Sequence, residues 1–175
     1  MNSFLVKKWD RVFDVFFDTN KSKTLEWADF EILAEKIKQE RGATSKEYAA
    51  AKNTMKHIWD GLVKYDTNKD NKVSREEWRQ MWQAIVDGRD KNAKWQSVYL
   101  EYMFMLLDTS GDKMIDKGEY ATVMKLYGVP AVEAQEAFDK FSKTPINYTR
   151  FCQLWQDYFT STDQKAAGNY LFGKL

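Results

Sequence analysis

The chain has 175 residues, 43% of them hydrophobic and 30% charged, enough to bury a core as one compact domain or two small lobes. Eight glycines and two prolines exclude collagen and low-complexity linkers, and 11 Phe, 9 Tyr and 7 Trp carry more aromatic area than a disordered chain does. Lysine and arginine number 27 against 26 Asp and Glu, a balance that argues against a nucleic-acid partner. The one cysteine, Cys152, lies between Phe151 and Leu154, cannot form an internal disulfide and reads as a buried thiol in a reducing compartment. No stretch approaches the roughly 18 apolar residues of a membrane span or the core of a signal peptide, so no integral membrane segment and a cytoplasmic location are expected.

Along the chain, apolar residues recur at helical spacing, stop at a short polar loop and recur again. The first unit carries Phe4, Leu5, Trp9, Val12, Phe13, Phe16 and Phe17, then the loop 18–29, then Phe30, Leu33 and Ile37. The second runs through Ala51, Met55, Ile58, Trp59, Leu62 and Val63 to the loop 66–77, then Trp78, Met81, Trp82 and Ile85. In the third, Val98, Tyr102, Met105 and Leu106 precede the loop 108–119, and Tyr120, Val123, Met124 and Tyr127 follow it. The fourth has Ala134, Ala137, Phe138 and Phe141, a shorter loop 142–150, and Phe151, Leu154, Trp155, Tyr158 and Phe159.

Connectors fall at 40–45, at 87–92 and at Gly128-Val129-Pro130, where glycine then proline reads as a helix stop and restart. The expected fold is all-α: four helix-loop-helix units in two compactly packed paired lobes, residues 1–90 and 91–175, the second with a docked tail. Each loop places a branched aliphatic residue at the same point, Leu25, Val73, Ile115 and Ile146. Short two-stranded bridges, Leu25 against Val73 and Ile115 against Ile146, would join the units within each lobe.

The loops carry the chemistry. A hard divalent cation such as calcium takes six to eight oxygen ligands, and a twelve-residue loop offers them from places 1, 3, 5, 7, 9 and 12, the seventh through its backbone carbonyl. Loop two supplies Asp66, Asn68, Asp70, the Lys72 carbonyl, Ser74 and Glu77, and loop three supplies Asp108, Ser110, Asp112, the Met114 carbonyl, Asp116 and Glu119. A merely polar turn would not require an oxygen at every one of these places and a glutamate at the twelfth.

Loop one offers Asp18, Asn20, Ser22, the Thr24 carbonyl, Glu26 and Asp29. Its closing carboxylate is the shorter one, which favours a smaller coordination number and makes magnesium a better competitor there than in loops two and three. Lys21 and Lys23 also bring positive charge beside that ion. Loop four is three residues short before Ile146, ends in Arg150 and has no acidic residue from Ser142 to Arg150, so it reads as a structural partner of the third unit. Two to three calcium ions are expected in all.

These loops and their flanking helices resemble EF-hands. They depart from the usual pattern at the sixth place, where the glycine of the sharp left-handed turn is replaced by Lys23, Asn71 and Lys113. Three working loops with a degenerate fourth resemble the calexcitin and invertebrate sarcoplasmic calcium-binding protein group, most closely at 58–62, 76–78, 108–112 and the tail 168–173. The resemblance implies a cytosolic calcium-binding protein of excitable tissue. Calexcitin-like members are described as signalling proteins acting on potassium channels and calcium stores, with nucleotide binding and phosphorylation, and sarcoplasmic members as buffers.

Two functions therefore stand side by side. A buffer would take up and release calcium around a closed aromatic core, with a monomer expected. A sensor would expose apolar surface around Met81, Met103, Met105, Leu106 or Met124 to a channel or another target protein. An enzyme is not expected: the one histidine, His57, lies in a helical run with no evident nucleophile partner, and no phosphate-binding glycine loop is present.

Overall fold

The computed structural model describes residues 1–90 and 94–175, so positions 91 and 92 of the second connector lie outside the described residues. Among the described residues there are eight α-helices: α1 Ser3–Val12, α2 Trp27–Arg41, α3 Lys46–Leu62, α4 Arg75–Val86, α5 Lys94–Leu107, α6 Lys117–Leu126, α7 Ala131–Phe141 and α8 Tyr148–Thr160. Their starts follow from side chains that accept the free amides of a first turn. The Ser45 hydroxyl accepts from Tyr48 N, the Ser74 hydroxyl from Glu77 N, the Asp116 carboxylate from Glu119 N and the Asn147 amide oxygen from Arg150 N. The helix α7 starts after Pro130, which takes the cap position with an extended backbone, and Ala134 N donates to Pro130 O at 2.9 Å.

Four two-residue strands, β1 Thr24–Leu25, β2 Val73–Ser74, β3 Met114–Ile115 and β4 Ile146–Asn147, form two antiparallel bridges. Leu25 pairs with Val73 and Ile115 with Ile146, as their equivalent places predict, and all four side chains are buried. The chain divides into two compact units, Val12–Tyr102 and Met1–Arg11 with Met103–Leu175. The sequence reading places its division near residue 90 and keeps the first helix with loop one.

In the unit Val12–Tyr102 the core is aromatic. Phe17 lies 5.3 Å from Trp78, 5.0 Å from Tyr99 and 5.8 Å from Phe30, centroid to centroid, and Trp78, Trp82 and Trp95 continue the cluster. In the other unit Tyr120 packs on Phe138 and Phe141, while Trp155, Tyr158 and Phe159 surround Phe172.

Local features differ from the periodicity, and on the apolar stripes Trp59, Val63 and Ile85 are only half buried. After α1 the chain makes a π turn, Phe13–Phe17, in which Asp18 N donates to Phe13 O at 2.8 Å; the wider turn buries Phe13, Phe16 and Phe17 together just before loop one. On α5 the buried residues are Trp95, Tyr99, Tyr102, Met103, Leu106 and Leu107, with Val98 and Met105 only half buried, because this helix is apolar nearly all round and its pattern does not single out one face. The Cys152 thiol is free and half buried, not fully enclosed, and Phe4 is likewise half exposed.

Candidate metal centres

Each loop follows a helical end and runs into the first turn of the next helix, and the three repeat one geometry from different residues. In loop one the Asp18 carboxylate accepts from Ser22 N at 2.9 Å and Lys23 N at 3.1 Å. In loop two Asp66 accepts from Lys69 N at 2.7 Å and Asn71 N at 2.8 Å, and in loop three Asp108 accepts from Gly111 N at 2.9 Å and Lys113 N at 3.0 Å. The first-place carboxylate thus winds the loop around itself.

The twelfth-place carboxylate closes it. Glu77 takes Thr67 N and the Thr67 hydroxyl at 2.8 Å on one oxygen, and Ser74 N at 2.9 Å with the Ser74 hydroxyl at 2.8 Å on the other. Glu119 takes Ser110 N at 2.8 Å and Thr109 Oγ1 at 3.1 Å, then Asp116 N at 3.0 Å. The shorter Asp29 makes the same clasp in loop one, to Asn20 N at 3.0 Å, Thr19 Oγ1 at 3.1 Å and Glu26 N at 3.0 Å. In β2 and β3 the seventh-place residues Lys72 and Met114 precede or begin the bridge, and Thr24 begins β1.

These donors control the charge of the closing groups. Burial alone would raise the Glu77 carboxyl, but the Ser74 amide, the Thr67 and Ser74 hydroxyls and the Thr67 amide outweigh it and draw the pKa down to about 2. Burial opposes ionisation of Glu119 as well, and the Asp116 and Ser110 amides, helped by the Ser110 and Thr109 side chains, lower it. Both groups are therefore held as carboxylates.

The remaining places are on the same loops. Asn68 Nδ2 donates to Asp70 at 3.0 Å, Asp112 accepts from Met114 N at 2.8 Å, and the Ser22 hydroxyl donates to Thr24 O at 2.9 Å. Glu26 differs from Ser74 and Asp116 at the ninth place: it accepts from Asn20 Nδ2 at 3.1 Å and faces Lys72 Nζ of loop two at 3.5 Å. Among the described residues no three His, Cys, Asp or Glu side chains stand gathered as a ready metal cluster, because the loop carboxylates turn toward their own amides. The donor set is nonetheless all oxygen, carboxylate, amide and hydroxyl, which fits a hard cation and not a soft one.

The sharp turns demanded at the sixth place are present in all three loops: Lys23 has φ 70°, Asn71 60° and Lys113 68°. A second left-handed residue stands at the fourth place, Lys21 at 60°, Lys69 at 61° and Gly111 at 77°, which the sixth-place reading did not anticipate. Loop four has none of this closure. Arg150 N is capped by Asn147, and its guanidinium reaches Gln153 and Phe141 O instead of folding over the loop.

Sequence reasoning also missed Lys8, whose side chain is fully buried. Its ammonium donates to Asp157 O at 3.1 Å, Ser161 O at 2.7 Å and Asn169 Oδ1 at 3.1 Å. The signal was legible, since Lys8 lies three residues after Leu5 and four before Val12 on the apolar stripe.

Comparison with known proteins agrees with this geometry. A family profile described as EF hand matches residues 60–82, the second unit's loop and its flanks. Calexcitin-1 of Caenorhabditis elegans is 35% identical over 181 residues, covering 99% of this chain and 88% of that one. Sarcoplasmic calcium-binding proteins I, III and IV of Branchiostoma lanceolatum are 27% identical over 99% of this chain and 98% of theirs. The structure of a sarcoplasmic calcium-binding protein from amphioxus superposes with a TM-score of 0.83, at 25% identity, over 100% of this chain and 99% of that one. The chain belongs to the calexcitin and sarcoplasmic calcium-binding protein group of the EF-hand superfamily.

Proposed function

We propose that this protein reversibly binds two to three calcium ions and acts as a calcium buffer of the cytoplasm, working as a monomer and not as an enzyme. The observation that carries the reading is the repeated clasp: in each of three loops, a first-place aspartate winds the backbone and a twelfth-place carboxylate closes over it. Asp66, Asn68, Asp70, the Lys72 carbonyl, Ser74 and Glu77 would hold one ion, and Asp108, Ser110, Asp112, the Met114 carbonyl, Asp116 and Glu119 a second. Asp18, Asn20, Ser22, the Thr24 carbonyl, Glu26 and Asp29 would hold a third, where magnesium competes better than in the other two loops because Asp29 has the shorter reach. A bound ion supplies the positive charge that lets several carboxylates converge. The chain's own contribution is to hold Glu77 and Glu119 as carboxylates and to wind each loop backbone around its first-place aspartate.

The buffer reading is favoured over the sensor reading by the fate of the methionines. Met81, Met103 and Met124 are each 1% exposed and Leu106 is fully buried, while Met105 is half buried, so four of the five residues that would line a target groove fill the cores. No described helix is long and apolar enough to cross a membrane. A calorimetric calcium titration of the metal-free protein at fixed magnesium, with an apolar-surface dye in parallel samples, tests the proposal. Two or three sites with a flat or falling dye signal are expected. A large calcium-dependent rise in dye binding would replace buffer by sensor, and absence of calcium uptake would overturn the reading altogether.

A further inference from the structure

The segment after α8 is held far more firmly than a passive tail requires, and one of its anchors is the residue next to the closing carboxylate of loop three. A 3₁₀ turn, Ala167–Tyr170, brings Leu171 and Phe172 into the core of their unit, where they are 2% and 1% exposed. The Phe172 ring lies 4.7 Å from Tyr158, 5.5 Å from Trp155 and 5.7 Å from Phe159. Gly168 sits directly against α8, and a Cβ there would overlap Leu154 O and the Asp157 side chain, so the close approach requires glycine.

Polar groups then fix the segment's position. Lys8 joins Asn169 to the last carbonyls of α8. Arg11 donates through Nε to Phe172 O at 2.6 Å and through Nη2 to Glu133 at 2.8 Å. The Tyr120 hydroxyl, buried, donates to Leu171 O at 2.8 Å.

Tyr120 is the informative anchor. It follows Glu119 in the first turn of α6, about 100° further round the helix. Glu119 therefore faces the loop, where it clasps Ser110 N and Asp116 N, while Tyr120 faces the core between Phe138 and Phe141 and reaches the tail. A displacement of this helical turn moves both groups together, because their backbones are consecutive.

We infer that the segment Ala167–Phe172 is a strap on loop three, with Tyr120 as the positioning residue that joins them: the docked strap holds the first turn of α6 where Glu119 closes the loop. This inference rests on loop three being a calcium site. Strap docking and calcium binding there favour one another, and thermodynamic linkage makes the two effects equal in size.

Two substitutions and two readouts test it in the full chain. Tyr120→Phe keeps the ring and removes the bond to Leu171 O; Gly168→Ala pushes the strap off α8 by contact. Calcium calorimetry is compared with Glu119→Gln, which identifies the loop-three ion, and trypsin cleavage at the exposed Lys165 reports strap release with and without calcium. In the wild type calcium slows cleavage. In Tyr120→Phe loop-three affinity falls about five-fold, the scale of one lost hydrogen bond, loop-two affinity is unchanged and the calcium protection at Lys165 shrinks. Gly168→Ala gives the same loop-three loss with fast cleavage in both states. A Tyr120→Phe protein with wild-type loop-three affinity and undiminished protection would overturn the strap while leaving the calcium site in place. Unchanged stoichiometry in Glu119→Gln would instead overturn the loop-three assignment, and the strap with it.

Discussion

At the scale of single residues, the loops combine well-placed carboxylates with a strained backbone. Lys23 and Lys113 hold left-handed angles at the place where glycine is the ordinary choice, and Lys21 and Lys69 do so two residues earlier. A side chain in that region costs about 1–2 kcal/mol, while glycine returns about 0.5–1 kcal/mol of that through its more disordered unfolded chain. Lys113→Gly should therefore stabilise the metal-free protein by about 0.5–1 kcal/mol, read as a higher urea midpoint with the slope unchanged. Lys23→Gly should act in the same direction. A lower midpoint for either would show that the lysine side chain contributes more at its place than its backbone costs. Asn71 needs no such relief, because its short polar side chain tolerates the conformation.

At the scale of elements, much was legible and the remainder has identifiable causes. The four helix-loop-helix units and the pairing of Leu25 with Val73 and Ile115 with Ile146 follow from loop length and one aliphatic residue per loop, both local signals. The π turn before loop one was not legible, since Phe13, Phe16 and Phe17 fit an ordinary helical stripe equally well and only packing selects the wider turn. The face of α5 was ambiguous because Trp95, Val98, Tyr99, Tyr102, Met103 and Met105 offer apolar groups on all sides. The clasp donors Thr67 and Thr109, at the second place of their loops, went unread because a ligand-only template skips that position.

The helix ends joined by Lys8 carry a pH signature. Burial lowers its pKa from 10.5 to about 8, and nearby Asp157 partly opposes that shift. The folded value lies below the unfolded one, so between about pH 8 and 10.5 the unfolded chain binds more protons at this site and folding gains stability as pH rises. Below about pH 8 the contribution is constant and at its least favourable. Measured by denaturant unfolding of metal-free protein, the wild type should gain on Lys8→Met between pH 8 and 10, with a flat difference from pH 6 to 7.5. The tyrosines titrate in both proteins and cancel in the comparison. A difference that stays flat up to pH 10 would mean that the ammonium is solvated through openings of the strap.

At the scale of the whole molecule, the proposed calcium loops and the cores share the same helices, so on that proposal calcium removal perturbs folding as well as occupancy. Asp18, Asp29 and Glu77 are 2%, 1% and 7% exposed, and each sits one residue from a core side chain, Phe17, Phe30 or Trp78. A ligand that binds only the folded chain adds RT ln(1 + [L]/Kd), about 2.7 kcal/mol for each site at a hundredfold excess over its Kd. Chelation should therefore lower the thermal midpoint substantially, by the sum of the loops that are filled. Glu77→Gln and Glu119→Gln should each remove one part of that calcium-dependent gain and also lower the chelated midpoint by a smaller amount, because Gln keeps one accepting oxygen for the donors that the carboxylate holds with two. The comparison is discriminating because the closing carboxylates also clasp amides without metal. If Glu77→Gln lowered the chelated midpoint as much as the calcium-loaded one, its main role would be the hydrogen bonds to Thr67 and Ser74, and loop two would be a structural turn. The depressed pKa of Glu77 is compatible with either role, so differential scanning calorimetry with and without chelator is the measurement that separates them.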